Sequence, residues 1–154
     1  MGNEAAMVAT RELWARLFQA PSIDRFFDEN AEACMLPGFS EYITQMCETR
    51  QEVPEQVIKR SGIERSFGHR LFSGARNPSR DTVLQLAFGF GLSPDEAQQL
   101  LKITQMSPLH PKVKRDAVIA YCLHNGKDVL TAQQELHDLG LPLMGGRKKW
   151  RMTT

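Results

Sequence analysis

A chain of 154 residues with a formal net charge of +1 and 42% hydrophobic residues can bury one ordinary core without metal or disulfide staples. Near-neutrality excludes a bulk polyanion binder, so attraction to nucleic acid has to come from where the charges lie. They are unevenly spread: residues 58–80 hold six basic side chains and one acidic, whereas residues 34–57 hold one basic and four acidic. Cys34, Cys47 and Cys122 are odd in number, show no C-x-x-C spacing and sit in or beside apolar helical patterns, which is the usage of reduced core thiols. The most apolar run, Val83 to Leu92, is interrupted by Gly89 and Gly91 and falls short of the ~18 residues of a membrane span. With no basic segment leading into an apolar one to mark a secretory signal, the expectation is a soluble cytoplasmic protein without membrane contact.

In chain order, Met7, Leu13, Trp14, Leu17 and Phe18 recur at helical spacing between Ala5 and Ala20, and Pro21 ends that helix. Ser22 caps a second short helix with Ile23, Phe26 and Phe27 on one side. Two apolar faces need a partner: either this hairpin packs on its own domain, or Trp14, Phe18 and Phe27 form a dimer contact. Leu36-Pro37-Gly38 breaks the chain, and Ser40 is expected to cap a helix turning Ile43, Met46 and Cys47 inward.

Pro54 opens a helix of eight residues that runs into Ser61-Gly62-Ile63, where Gly62 can take the positive φ a sharp stop requires. Another helix follows at once, over 64–72. It carries Arg65, Ser66, His69 and Arg70 on a wet, basic side, with Leu71 and either Phe67 or Phe72 opposite. Where the two helices cross, Ile58 is larger and Gly68 smaller than the packing positions call for, and the two departures compensate in volume. A mid-helix glycine costs about 1 kcal/mol against alanine, so close packing explains its presence.

Ser79 caps the next helix, whose Val83, Leu84, Leu86, Ala87 and Phe90 make it apolar nearly all round and therefore central, with Gly91 as its stop. Ser93-Pro94-Asp95-Glu96 is a capping box starting a helix to about Gln105 that buries Ala97, Leu100 and Leu101. Beyond the Ser107–Pro111 boundary, Val113, Ala117, Val118, Tyr121 and Cys122 are expected on one helical face, closed by Asn125-Gly126. Asp128 caps a last helix holding Ala132, Leu136 and Leu139, stopped by Gly140. The tail sets Arg147, Lys148, Lys149 and Arg151 around Trp150 without periodicity, and either touches phosphates or has no role.

The run SGIERSFGHRLFSGARNPSRDTVLQLA resembles the Xre type of helix-turn-helix, the group of the λ and 434 repressors, and the likeness spans about Phe39 to Ile103. Gly74-x-Arg76-Asn77-Pro78-Ser79 is similar to the loop that those domains lay against DNA backbone. The sequence departs from the pattern at Pro54, where the family often has a glutamine that touches DNA, and at Ser61, usually apolar. The resemblance implies an all-α protein with a five-helix λ-repressor-like domain over 36–106 and its motif at 54–73. Around it lie a helical hairpin at 1–35, a helical extension at 107–144 and the basic tail at 145–154.

If the second helix of the motif enters a major groove, Arg65, Ser66, His69 and Arg70 are the base-reading candidates. Arg65 and Arg70 are best suited, because a guanidinium fork matches both acceptors of guanine, while Ser66 and His69 suit bases or phosphates. Glu64 is a cap or a cytosine acceptor. Lys59, Arg60, Arg76, Asn77, Ser79 and Arg80 are the phosphate candidates, which would set register. No pairing among His110, His124, His137 and the cysteines has zinc spacing, no catalytic arrangement and no phosphate-cradling glycine loop is present, and no metal, cofactor or enzymatic activity is expected. The expected partner is double-stranded DNA, read by a homodimer acting as a bacterial transcription regulator. Two rivals keep the same fold: an adaptor that uses the surface for a protein partner, and an antitoxin-like protein that also regulates its own transcription. Phe67 discriminates, since burial favours packing and exposure beside His69 favours a protein or thymine-methyl contact.

Overall fold

Among residues 10–31 and 38–145, which the computed structural model describes, all regular structure is helical. In order these are α1 (Thr10–Gln19), α2 (Ile23–Glu29), α3 (Phe39–Arg50), α4 (Pro54–Ser61), α5 (Arg65–Ser73), α6 (Arg80–Phe90), α7 (Pro94–Ile103), α8 (Lys114–His124) and α9 (Val129–Asp138). None of them is long and apolar enough to cross a membrane. Met7, Cys34, Leu36-Pro37 and the tail beyond Gly145 lie outside the described residues. By contact α1 and α2 form one compact unit and α3 to α9 another.

In the hairpin, Ser22 caps α2 by accepting from the Arg25 N–H at 3.1 Å, and Arg16 donates from α1 to the side-chain oxygen Oδ1 of Asn30 at 2.9 Å. Phe26 is buried, but Trp14 and Phe18, stacked with ring centroids 5.4 Å apart, are 54% and 76% exposed, and Phe27 is also exposed. The apolar face expected of these two helices therefore remains largely uncovered.

The larger unit is built on α6. Its residues from Asp81 to Phe90 are all buried, as its all-round apolar pattern predicts, with Ser79 as N-cap and Gly91 at φ 69° as C-cap. Packed on it, α4 approaches closely because Gly89 has no side chain: a Cβ there would overlap the Ser61 hydroxyl and lie 2.6 Å from the Val57 carbonyl oxygen. Ser61, polar at a packing position, is fully buried, and its hydroxyl donates back to the Val57 carbonyl at 2.7 Å. Between α4 and α5 the volume exchange is as the sequence implies, for a Cβ on Gly68 would lie 2.5 Å from Ile58 Cγ2.

Four local expectations change. α3 begins at Phe39 with Gly38 as N-cap and no side-chain cap, so Ser40 lies within the first turn. α7 ends at Ile103, because Gln105 turns into the left-handed region at φ 58°. α8 is rotated from its expected phase: Ile119, Cys122 and Leu123 face the core, whereas Val113 and Tyr121 are exposed. Asp116 lies buried on that inward face, where Arg80 pairs with it. Leu139 caps α9 and is exposed, while Ala132 and Leu136 are buried.

α8 and α9 share one apolar core with α3 to α7, through Leu109, Ile119, Cys122, Val129, Ala132, Leu136 and Met144. The way they attach repeats the way α6 and α7 are built. Arg80-Asp81-x-Val83, Gly91, Ala97-Gln98-Gln99 and Leu101 recur 35 residues on as Arg115-Asp116-x-Val118, Gly126, Ala132-Gln133-Gln134 and Leu136. The hydrogen bonds recur with them. Gln98 brackets Leu109 through its N–H and C=O, and Gln133 brackets Met144 in the same way.

The arginine and aspartate of each copy pair across to the other. Arg80 binds Asp116 through two bonds of 3.1 and 3.0 Å, and Arg115 binds Asp81 through two of 3.0 and 3.1 Å. Each arginine also donates to two carbonyls of the loop ending its own copy, Ser107 and Pro108 for Arg80, Pro142 and Leu143 for Arg115. Each aspartate accepts one further backbone N–H from its partner arginine's loop, His110 for Asp116 and Gly145 for Asp81. The arrangement is self-complementary, as in a two-fold interface where each residue meets its counterpart's partner. Fork-to-carboxylate bonds plus backbone partners satisfy the buried charges on both sides.

Candidate nucleic-acid interface

Three helix pairs in the larger unit share one turn. Gly62, Gly91 and Gly126 stop α4, α6 and α8 at φ values of 71°, 69° and 67°. Two residues later Glu64, Ser93 and Asp128 cap the following helix with their side chains. The fourth residue of each of those helices is small and buried, Gly68, Ala97 and Ala132. The outer faces differ. α5 presents Arg65, His69 and Arg70, α7 presents Asp95, Glu96 and Lys102, and α9 presents Glu135, His137 and Asp138. Only α5 is basic.

α5 starts at Glu64, whose carboxylate accepts the N–H groups of Phe67 at 2.9 Å and Ser66 at 3.0 Å. Those bonds hold the Glu64 carboxyl below the ordinary glutamate range, so it is a cap and remains ionised. Gly74 at φ 87° closes the helix, whose Gly68 and Leu71 are buried, while Phe67 and Phe72 are half-buried against the core. Both phenylalanines thus serve packing, and Phe67 does not stand free beside His69.

Arg65, Ser66 and Arg70 are exposed and His69 half-exposed on one side of α5, so the structure brings the four base-reading candidates together. They are not loose. Arg65 Nε donates to Glu55 Oε2 at 2.7 Å, and His69 Nε2 meets Glu55 Oε1 at 2.7 Å. Arg70 donates to the Ser66 hydroxyl at 3.1 Å. The hydrogen bonds from Arg65 first and His69 second hold the Glu55 carboxyl below its ordinary range, and the same carboxylate raises Arg65.

The phosphate candidates separate. Arg76, Asn77 and Ser79 lie exposed in the loop from α5 to α6, with Ser79 accepting the Thr82 N–H at 3.2 Å. Arg80, one residue on, turns away into its pairing with Asp116. Arg60 donates to the Gly89 carbonyl at 2.9 Å and pairs with Glu52 at 2.8 Å. Gly89 is near the other end of α6 from Ser79, about 15 Å along a helix of 1.5 Å rise per residue, so Arg60 stands apart from that loop. Lys59 beside it is exposed.

Glu55 and the crossed pairs were not singled out from the sequence. For Glu55 the available sign was Arg65 and His69 one helical turn apart, able to share one acceptor. For Arg80 it was the recurrence of Arg-Asp-x-Val 35 residues later.

No family model matches the chain, and no curated protein and no solved structure matches it significantly.

Proposed function

We propose that the chain is a sequence-specific double-stranded DNA-binding protein of the Xre type, with α3 to α7 as its λ-repressor-like domain and α5 in the major groove. The observation that carries this reading is the internal comparison: of three second helices with the same turn and cap position, α5 alone has a basic outer face. Arg65 and Arg70 read bases, Ser66 and His69 contact bases or phosphates, and Arg76, Asn77 and Ser79 hold phosphates from the loop. Arg80 acts by fixing the start of α6 behind that loop, and Lys59 and Arg60 are left to long-range attraction. In this reading the protein is a cytoplasmic bacterial transcription regulator that binds as a homodimer, since two copies double the contacts over half-sites about one turn apart. The half-buried state of Phe67 favours it over the adaptor.

Fluorescence anisotropy against duplex DNA at several salt concentrations tests the reading. Arg70→Ala is expected to lower affinity at every salt and to flatten the salt slope, while Lys102→Ala on α7 leaves both unchanged. Equal losses from the two substitutions would overturn the assignment to α5.

A further inference from the structure

Glu55 is an acidic residue set against the most basic helix of the protein, where general electrostatics disfavours approach of a polyanion. Its two oxygens are divided between two side chains: Oε2 takes Arg65 Nε and Oε1 takes His69 Nε2, each at 2.7 Å. An ionised carboxylate only accepts, so in this contact the His69 nitrogen is the donor. Both partners come from α5 and the carboxylate from the first turn of α4, so one group ties the outer face of α5 to the neighbouring helix. Arg65 spends its Nε on Glu55 and keeps its two terminal Nη groups for another acceptor pair.

Resting on the DNA-reading role proposed above, we infer that Glu55 is a specificity-determining residue that orients Arg65 and His69 toward base edges while weakening their hold on phosphate. Two effects follow from one carboxylate. Holding the guanidinium by Nε removes rotamer freedom that the long side chain would otherwise lose on binding, which favours the one base geometry that its fork fits. The negative charge acts against every DNA sequence alike, and so lowers the sequence-independent part of the affinity. Discrimination rises from both sides, by better fit to the right base and by repulsion that the wrong sequence cannot offset.

The test compares wild type, Glu55→Gln, Arg65→Ala and the double variant of the full chain. Each is titrated against the duplex that wild type selects from a random pool and against a scrambled duplex of the same length and composition. Glu55 is exposed, and circular dichroism melting of the four proteins is expected to coincide, which separates binding from folding. Glu55→Gln is expected to bind the scrambled duplex more tightly and to lose discrimination by about tenfold, the size of one well-placed bidentate contact. Arg65→Ala is expected to cost much less discrimination in the Glu55→Gln background than in wild type. If Glu55→Gln changes both affinities by the same factor, Glu55 is only a charge near DNA and the inference is overturned. If wild type selects no sequence at all, the DNA-reading proposal itself fails and Glu55 loses this role with it.

Discussion

Gly68 and Ile58 show how one residue pair sets the distance between two helices. A methyl group on Gly68 would press on Ile58, a stiff β-branched side chain that is 1% exposed. Gly68→Ala is therefore expected to destabilise by about 1–2 kcal/mol despite alanine's better helix propensity, because overpacking outweighs that gain. In an Ile58→Ala background the same substitution is expected to stabilise by about 1 kcal/mol, and urea unfolding of the four proteins measures the change of sign. The helix caps make a separate forecast. Glu64, Glu96 and Asp128 each accept backbone N–H groups and have carboxyls lowered from their ordinary values. Each holds its proton less tightly folded than unfolded, so its contribution is present above the ordinary carboxylate range, about pH 4, and is lost as pH falls through the lowered values. Glu64→Gln is expected to lower the neutral plateau and to flatten the acid side of the stability profile, which urea unfolding at a series of pH values measures.

Among the elements, the crossed Arg–Asp pairs join the two copies of the repeated hairpin alongside their shared apolar core. Asp81 and Asp116 are both buried and occupy equivalent places, so Asp81→Ala and Asp116→Ala are expected to cost similar amounts, about 2–4 kcal/mol each. Exchanging charges as Arg80→Asp with Asp116→Arg should recover less than half the loss. The arginine also donates to loop carbonyls and the aspartate accepts a loop N–H, and neither role survives the exchange. Thermal unfolding of these variants checks both statements. The elements themselves were legible in the sequence where local signals were strong. Gly62, Gly91 and Gly126 mark the stops, Ser93 with Glu96 the capping box, and the all-apolar run of α6 the centre of the core. The phase of α8 was not legible, because a pattern of apolar residues turns Asp116 outward, and its burial is offset by the distant Arg80 together with the His110 N–H. The site was legible in part for the same reason. The outer residues of α5 follow from helical spacing alone, whereas the Glu55 tie depends on how α4 crosses α5, and the inward turn of Arg80 depends on a helix 36 residues away.

For the whole molecule, the proposed DNA-reading role puts one basic helix, α5, on a chain of net charge +1, so on that proposal affinity would rest on few contacts and gain most from pairing two copies. Under the same proposal the N-terminal hairpin would supply the apolar side chains for that pairing, since Trp14, Phe18 and Phe27 are more than half exposed. Trp14→Ala with Phe18→Ala is expected to yield a monomer by sedimentation, with DNA affinity falling at least tenfold and helical content nearly unchanged. The most direct test of the central claim is selection of the purified protein against a pool of random duplexes, repeated with Arg70→Ala. An enriched site with two-fold-related halves about one helical turn apart, lost on that substitution, is the predicted result. Binding without any enriched sequence, and with a loss that salt alone accounts for, would contradict it.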